Sequence, residues 1–354
     1  SIDIGNIGHM AITQKDIARY LNIDPSAVSY ALNGTGTGSD TSRQQIVEAA
    51  QKLGYRPNIL ARSIRTGKTG TIGVLLGGDF QKQSEQLRHT EQSAREQGYH
   101  LVVAHGVSHV RHAEAGEIIE TELNQLDRFV QFQVDGVVIQ TAVIYLSEAH
   151  QKKYWDRVRH IMPKGLPVVA FDSPGDHDYT QVFVDRFQWG QKAALALSER
   201  GYQNLTYVGS KTGLFSKQIY RGLQSVSEIN CSICEVEVTD SQSVFKGHRA
   251  VGLFRKGSAQ VLVAANARIA HGLLIGLLEK GIRVPHDVSL VALDQSEMLQ
   301  WPPRAISSFE YRNDALGKET WEVMHQLLED EKPNPKTDRD YNLVARETLK
   351  EIVL

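Results

Sequence analysis

The side chains best suited to contact another molecule lie near the start of the chain, on a short helix predicted to begin at Pro25. Within this helix Val28, Ala31 and Leu32 recur at helical spacing and would face inward against a neighbouring helix. The remaining side chains would face outward: Ser26, Ala27, Ser29, Tyr30 and Asn33. Hydroxyl, amide and small apolar groups carried on one helix can contact the edges of bases in a DNA major groove.

The helix from Pro25 needs a partner to hold it, and the preceding residues provide one. Thr13 is a natural N-cap, because its hydroxyl can accept an unpaired amide of the first turn, and residues 17–21 then bury one face. Asp24 can cap the second helix, and Pro25 fits its first position because no bond is lost with the missing N–H. The pattern predicts two helices joined by a tight turn. It is either a DNA-binding helix-turn-helix or an ordinary helical hairpin.

A third helix would complete a small core. It would begin after Ser39 and end at Gly54, with apolar residues on one face between 46 and 53. Between Ala11 and Thr69 there are 8 Lys or Arg and 4 Asp or Glu, whereas the whole chain has a formal net charge of −2. A positive first part on an acidic body favours contacts between that part and DNA phosphates.

Residues 11 to about 76 resemble the lactose/galactose-repressor family of bacterial transcription regulators. The resemblance depends on the capped first helix, Val28-Ser29, Gly54-Tyr55, Pro57-Asn58 and Ala61. It implies that residues 57–64 form a hinge helix on operator DNA, and that two such helices from a dimer enter the minor groove. Ile64 stands where the family usually has leucine, and there it would act as an apolar wedge that kinks the duplex. The alternative for this stretch is a plain linker.

The helical pattern and the resemblance together define a set of expected DNA contacts. These are Thr13, Pro25, Ser26, Ala27, Ser29, Tyr30, Asn33, Ser39, Ser42, Asn58, Ala61, Arg62 and Ile64. Many family members have arginine where this chain has Tyr30, so the bidentate contact that arginine makes to guanine is not expected and the operator should differ. The implied partners are a pseudo-palindromic double-stranded operator, a small effector, and a second copy of the chain in a homodimer, with a tetramer as a further option.

The rest of the chain alternates short apolar runs with amphipathic stretches, which is typical of parallel α/β sheets. Strands are predicted at residues 71–76, 100–104, 136–140, 168–171, 205–208, 234–238, 260–263 and 289–293. This spacing favours an α/β body of two doubly wound parallel-sheet lobes, with a ligand cleft between the carboxyl ends of their strands. The family resemblance continues more weakly here and implies a body like the periplasmic binding proteins. Lobe one would comprise about 71–170 and 304–332, and lobe two about 171–303 and 333–354.

The expected cleft departs from the family in three places. Residues 77–83 lack the Asn-Pro and two aromatics that commonly grip a sugar ring, Ile219 replaces an arginine, and Ala267 replaces an aspartate. A carbohydrate or its derivative is the effector that the resemblance implies, and a nucleobase-like ligand is the alternative. Candidates for ligand contact are Asp79, Gln140, Phe171, Asp172, Asp185, Tyr220, Asn266, Asp294, Gln295 and Trp301. For each of them, helix capping or packing at a strand end is the other role to weigh.

Two further groups of residues could in principle bind a metal ion. Cys231 and Cys234 form a single C-x-x-C, and His105, His109 and His112 could share a helix face, but neither has a second group to complete a site. Nucleotide loops, nucleophile elbows and zinc-protease motifs are absent from the sequence, so neither an enzyme nor a cofactor is expected. With no apolar run of membrane-spanning length and no signal segment, a cytoplasmic protein is expected.

These predictions divide the chain into four parts. Residues 1–10 resemble a tag remnant, 11–56 form the helix-turn-helix domain, 57–69 the hinge helix and linker, and 70–354 the effector-binding and dimerisation domain. The expected function is a DNA-binding repressor whose operator affinity changes when a ligand enters the cleft. A solute-binding module without DNA function is the alternative from a different class.

Overall fold

The computed structural model describes residues 12–33, 40–55, 67–77, 80–107, 113–175, 177–211, 213–236, 243–253, 257, 260–301, 303–336 and 340–350. The chain divides into two compact units, residues 1–69 and 70–354, which are described separately below. The described part of the first unit contains the helices α1, Gln14–Leu21, α2, Pro25–Asn33, and α3, Asp40–Lys52.

Two aspartates set where the first helices begin. The Asp16 carboxylate accepts hydrogen bonds from the N–H and the hydroxyl of Thr13, at 2.9 and 2.6 Å, and Thr13 is the N-cap of α1. Asp24 accepts the N–H of Ser26 at 2.7 Å, and α2 begins at Pro25 as predicted. One core joins all three helices, and its buried members are Ile17, Ala18, Val28, Ile46, Ala49 and Ala50.

The second unit contains two sheets with helices on both faces. The first is a parallel sheet of order β2-β1-β3-β4-β5. Its strands are β1, Thr71–Leu76, β2, His100–His105, β3, Gly136–Gln140, β4, Val168–Phe171, and β5, Thr180–Val182. One face is covered by α4, Phe80–Glu96, and α11, Asn313–Leu328, and the other by α5, Ala115–Gln131, and α6, Glu148–Ile161. A 3₁₀ turn, Ala142–Tyr145, follows β3.

The second sheet has the order β11-β10-β9-β8-β6-β7, and only β11 runs antiparallel to its neighbour. Its strands are β6, Asn204–Gly209, β7, Asn230–Glu235, β8, Val261–Ala264, β9, Ser289–Ala292, β10, Ser307–Tyr311, and β11, Tyr341–Val344. The helices α7, Arg186–Ser198, and α8, Leu214–Gln224, pack together, as do α9, Ser243–Ala250, and α10, Ala267–Glu279. The expected pair of doubly wound lobes is present.

The strand pairing places both lobe boundaries at other positions than the sequence predicted. Lobe one was expected to end near residue 170, but β5 pairs with β4 and extends it to Val182. Lobe one was expected to resume near residue 304, but β10 pairs with β9 in the second sheet, and only α11 returns to the first. Lobe one therefore contains β1 to β5 and α11, and lobe two contains α7 to β10 and β11.

Glycines allow the closest helix crossings in lobe two. A Cβ at Gly222 of α8 would lie 2.0 Å from the carbonyl oxygen of Phe187 in α7, and one at Gly190 would lie 2.2 Å from that of Ile219. Both distances are far below van der Waals contact, so α7 and α8 could not pack this closely with alanine at either position. Ile219, where the family has an arginine, is consequently buried at this crossing and 4% exposed.

Candidate functional site

The outer face of α2 is open to solvent. Ser26, Ala27 and Tyr30 are exposed, Tyr30 by 56%, whereas Val28 on the inner face is fully buried. This is the division that the helical spacing predicted. Pro25 is exposed too, and Ser29 is half-buried. An aromatic ring beside small side chains on a free helix face has the dimensions to enter a DNA major groove.

Exposed cations on α1 and α3 can hold phosphates. Lys52 donates to the hydroxyl of Tyr20 at 3.0 Å and lies 5.6 Å from the centre of its ring. This hydrogen bond raises the pKa of Lys52, so its amine stays charged. Lys15 and Arg43 are also exposed. Such contacts set the position of a protein on a duplex without reading its sequence.

Some residues predicted to bind DNA or ligand lie outside the described part of the chain. Ser39 and the hinge residues Asn58, Ala61, Arg62 and Ile64 are among them, as is Asp79 of the expected cleft. The side chain of Asn33 is not described, although its backbone closes α2. His109 and His112 also lie outside the described residues, so whether His105, His109 and His112 share a helix face stays a prediction. Of the other residues expected to contact DNA, Thr13 and Ser42 are exposed.

Strand ends of lobe one carry three of the residues expected at the cleft or beside it. The Gly77 N–H donates to the carbonyl oxygen of Gln140 at 2.5 Å, which aligns the ends of β1 and β3. Asp172 follows β4, has a φ of 43°, and donates its N–H to the carbonyl oxygen of Val182. Aspartate tolerates this left-handed conformation better than most residues. The side-chain oxygen of Gln140 is buried and has no hydrogen-bond partner among the described residues.

Strand ends of lobe two carry three further candidates. Asn266 caps α10 by accepting the Ile269 N–H at 2.9 Å. Asp294 follows β9 and accepts the N–H groups of Ala267 at 2.9 Å and Gln295 at 2.8 Å. The oxygens of both side chains thus hold the backbone, which is the structural role weighed for them above. The Gln295 side-chain oxygen, like that of Gln140, is buried without a partner among the described residues.

Of the four other candidates, three occupy structural positions and Trp301 is exposed. Phe171 is 5% exposed and packs inside lobe one, beside a gap of about 10 Å³. Tyr220 stacks on Tyr207 with ring centres 5.9 Å apart. Tyr220 also approaches the Cys231 carbonyl at 3.5 Å, so it lies along β6 and β7 and not at the strand ends. Asp185 caps α7 through the Gln188 N–H at 2.9 Å. Trp301 is exposed, with His271 as its ring neighbour. Core packing and capping account for Phe171, Tyr220 and Asp185.

Arg186, which sequence reasoning missed, joins lobe two to Asp172 of lobe one. It begins α7, is 7% exposed, and donates to Asp172 at 2.6 Å and to the carbonyl oxygen of Val184 at 2.9 Å. Burial opposes its charge, but Asp172, together with Tyr311 and Tyr341, offsets that effect, and the pKa of Arg186 stays above its ordinary value. The sequence signal was an arginine directly after the helix cap Asp185, where solvent exposure would ordinarily be expected.

Two aromatic rings from opposite lobes meet above Arg186. The guanidinium carbon lies 4.6 Å from the ring centre of Phe215, in the first turn of α8. Phe215 in turn meets Tyr145, in the turn after β3, edge to face, with ring centres 6.3 Å apart. Tyr145 belongs to lobe one and Phe215 to lobe two, so their contact bridges the cleft.

The remaining sequence candidates are not assembled into reactive centres in the part of the chain described here. Burial raises the pKa of Cys231 to about 12 and also raises that of Cys234, and both cysteines are free thiols. Among the described residues no group of three or more His, Cys, Asp or Glu could hold a metal ion. Within the same residues, every helix is too short or too polar to cross a membrane.

Comparisons with known proteins match both units. Residues 13–58 match the family model described as bacterial regulatory proteins, lacI family, and residues 194–349 match a periplasmic binding protein-like domain. The HTH-type transcriptional repressor PurR of Vibrio cholerae is 22% identical over 96% of this chain and 98% of its own length. The HTH-type transcriptional regulator RegA of Clostridium saccharobutylicum is 25% identical over 96% and 99%.

Solved structures share the fold along nearly the whole chain. The Lac repressor dimer bound to operator and the anti-inducer ONPF matches with a TM-score of 0.76 and 17% identity, covering 96% of this chain and 99% of that one. The transcriptional regulator CelR in complex with cellobiose matches with a TM-score of 0.61 and 18% identity, covering 95% and 99%.

Proposed function

We propose that the chain is a DNA-binding transcriptional regulator of the lacI family of bacterial regulatory proteins, and that it represses transcription as a homodimer on a pseudo-palindromic operator. A small ligand in the cleft between the lobes sets its affinity for that operator. Its action is therefore in the cytoplasm, where bacterial DNA is found, and involves no catalysed reaction. The observation that carries the proposal is the exposed outer face of α2 on a capped three-helix head.

The α2 face supplies the direct contacts with bases in this proposal. Ser26 and Tyr30 read base edges, and Asp24 positions Ser26 by holding its N–H. Residues 57–64 form the hinge helix on DNA, with Ile64 as the wedge in the minor groove. The exposed cations of α1 and α3 hold phosphates, so affinity falls steeply as salt concentration rises.

The cleft supplies the regulation. Ligand bound between the lobes changes their spacing, and in a dimer this alters the distance between the two hinge helices. The polar groups proposed to meet ligand are Gln140, Asp172 and Gln295, since each lies just at or beyond a strand end. A carbohydrate or its derivative is the first effector class to test. A non-sugar effector such as a nucleobase is the second, because residues 77–83 lack the Asn-Pro and two aromatics expected for a sugar.

Selection of bound sequences from random duplex DNA tests the DNA function, because no operator sequence has to be chosen in advance. We expect a two-fold symmetric site, and a slope of log affinity against log salt that reflects several phosphate contacts. Tyr30→Ala should change the base preferred at one position in each half-site, at a cost of about 1–3 kcal/mol for the best site. Phe245→Ala is the control, because Phe245 is also an exposed aromatic residue but lies in the second unit.

The outcomes separate the alternatives. A protein that retains no sequence above background would contradict the DNA function and favour a solute-binding module. A selected site without two-fold symmetry would contradict the dimer. If Tyr30→Ala and Phe245→Ala select the same sequence as the parent with the same affinity, α2 does not read bases through Tyr30.

A further inference from the structure

A buried carboxyl group that the proposed function does not use lies beneath the strand ends of lobe one. Glu122 is in the middle of α5 and is fully buried. A Cβ at Gly77, directly after β1, would lie 2.4 Å from its Oε1 atom, and a Cβ at Gly106, directly after β2, would lie 3.1 Å from the same atom. The two glycines leave the space that the carboxyl group fills.

The carboxyl group of Glu122 holds the turn after β3. Its Oε1 atom accepts the N–H of Ala142 at 2.8 Å, and its Oε2 atom is hydrogen-bonded to the hydroxyl of Thr141. The Thr141 hydroxyl in turn accepts the N–H of Val143 at 3.0 Å. The first two N–H groups of the 3₁₀ turn Ala142–Tyr145 therefore depend on Glu122, one directly and one through Thr141.

The same turn carries an aromatic contact between the lobes. Tyr145 ends the turn and meets Phe215 of lobe two edge to face, with ring centres 6.3 Å apart. A shift of the turn would move Tyr145 and change its contact with Phe215. What happens at the Glu122 carboxyl group would therefore reach lobe two.

The surroundings of Glu122 are almost free of groups that titrate. Among the described residues, the titratable group that faces it is the hydroxyl of Tyr154 in α6, and burial raises the pKa of Tyr154 well above its ordinary value, so this hydroxyl stays neutral. His105 comes directly before Gly106, but successive side chains of a strand point to opposite faces, and Ala104 is the one that packs with the core beside α5. On α5 itself the residues one turn away are isoleucine, leucine and glutamine.

Burial makes ionisation of the Glu122 carboxyl group costly. It raises the pKa of Glu122 to about 7, although hydrogen bonds from Thr141, Ala142 and Tyr154 act in the opposite direction. The group therefore changes charge near neutral pH. The neutral acid fits its place, whereas the carboxylate is buried with no cation to offset its charge among the described residues. The ionised form is consequently more stable where water can reach it.

We propose that Glu122 is a proton-sensitive switch for the relation between the lobes. The protonated carboxyl group holds the turn Ala142–Tyr145 and keeps Tyr145 against Phe215. When the proton leaves, the turn moves away from Glu122, water reaches the carboxylate, and Tyr145 loses its contact with Phe215. The effect of this change on operator affinity rests on the proposed function, whereas the movement of the turn does not.

Proton linkage sets the size of the effect. Glu122 has a pKa of about 7 while it holds the turn, and an exposed glutamate has one of about 4.5. Because the arrangement with the lower pKa releases its proton first, rising pH favours the released turn over the held turn. Between pH 6 and pH 8 the ratio of released to held turn should rise about tenfold.

Hydrogen exchange at the amides of Ala142 and Val143 measures this movement in the full-length protein without DNA. Glu122→Gln is the reference, because glutamine has nearly the shape of the protonated acid and still accepts the Ala142 N–H but cannot ionise. Comparison of two proteins at the same pH cancels the direct effect of pH on exchange. The rate in the parent relative to the rate in Glu122→Gln should rise about tenfold from pH 6 to pH 8.

Two controls show whether the turn opens by itself. Amides of β3 should exchange much more slowly than those of the turn, because the turn opens without unfolding of the sheet. Glu120→Gln is the matched variant, since Glu120 is also on α5 but is exposed and paired with Arg157. It should exchange as the parent does at each pH. The unprotected amides of the parent give a second reference that does not depend on the folding of any variant.

An exchange ratio that stays constant from pH 6 to pH 8 would show that the carboxyl group is only a structural support, and the proposal would be wrong. Affinity for the selected DNA then tests whether the switch reaches the operator. At constant ionic strength, the affinity of the parent relative to that of Glu122→Gln should change by up to about tenfold between pH 6 and pH 8. In a Phe215→Ala background this change should disappear, while the exchange ratio keeps its dependence on pH.

The two measurements separate the switch from the proposed function. An exchange ratio that depends on pH, with a constant ratio of operator affinities, contradicts the link between the turn and the operator. A parent that binds its operator but has a constant exchange ratio contradicts the switch and leaves the DNA function intact. A parent that has the pH-dependent exchange ratio but selects no DNA contradicts the repressor function alone.

Discussion

Asp172→Asn should destabilise the second unit strongly, because it leaves Arg186 charged in a buried place. The Asp172–Arg186 pair joins atoms 2.6 Å apart, and the two side chains are only 11% and 8% exposed. Removing one partner of a buried ion pair costs about 3–5 kcal/mol, since the other charge stays buried without compensation. Asparagine tolerates the φ of 43° at this position as well as aspartate does, so backbone strain does not add to the loss.

The matched control is Asp314→Asn. Asp314 pairs with Arg312 at 2.7 Å, almost the same separation, but Arg312 is 59% exposed. An exposed pair contributes little to stability, because water and salt screen it. The two substitutions remove the same carboxylate from ion pairs of almost equal length. Any difference between their effects on stability therefore reports the difference in burial.

Thermal and urea unfolding at a fixed protein concentration measure the difference, since dimerisation would otherwise change the melting temperature. For a domain of this size about 1 kcal/mol corresponds to about 2–4 °C, so Asp172→Asn should melt about 10 °C below the parent and Asp314→Asn within about 3 °C of it. Asp172→Asn with Arg186→Gln should recover part of the loss, because no buried charge remains. Equal effects of the two single substitutions would refute the reasoning.

Three further predictions follow from burial and packing. Burial raises the pKa of Glu122 to about 7, so the folded chain holds a proton that the unfolded chain releases near pH 4.5. Stability should therefore fall by up to about 3 kcal/mol as pH rises from 4.5 through 7. Glu122→Gln should flatten this dependence in urea titrations, and parallel curves would contradict it. Gly222→Ala should lose about 1–3 kcal/mol, because its Cβ would meet the Phe187 carbonyl, whereas Gly116→Ala in open space should be neutral or stabilising by calorimetry. The Cys231 thiol should react with iodoacetamide at pH 8 much more slowly in the folded than in the urea-unfolded chain, and equal rates would show that it is not protected.

Elements with strong local patterns were predicted closely. The residues expected for β1, β3 and β4 are the ones observed, because continuous apolar runs bounded by turns identify buried parallel strands. A strand was expected at 234–238, but β7 spans Asn230–Glu235. It is an edge strand with several polar residues, so its sequence has no continuous apolar run. β5, β10 and β11 were missed, since strands of three to five residues that include polar side chains give no periodic signal. Pairing with neighbouring strands of the sheet determines where these three strands form.

The candidate cleft residues were predicted by position more than by role. Gln140, Asp172 and Asp294 do lie at strand ends, as expected from the rule that ligands bind there. Sequence reasoning could not show that Asp172 meets Arg186, 14 residues away, or that Tyr145 meets Phe215 from the other lobe. Phe171 illustrates the converse, because an aromatic residue at a strand end can equally turn into the core.

The sequence by itself determined the three-helix head, its outward face around Tyr30 and the doubly wound construction of the body, because caps and apolar periodicity act between residues a few positions apart. Only the tertiary structure decided where the chain passes between lobes, and which side chains meet from opposite lobes. Those contacts join residues that are far apart along the chain, and their energies depend on how much water the surrounding fold excludes. No local sequence pattern encodes how much water the fold excludes around a residue.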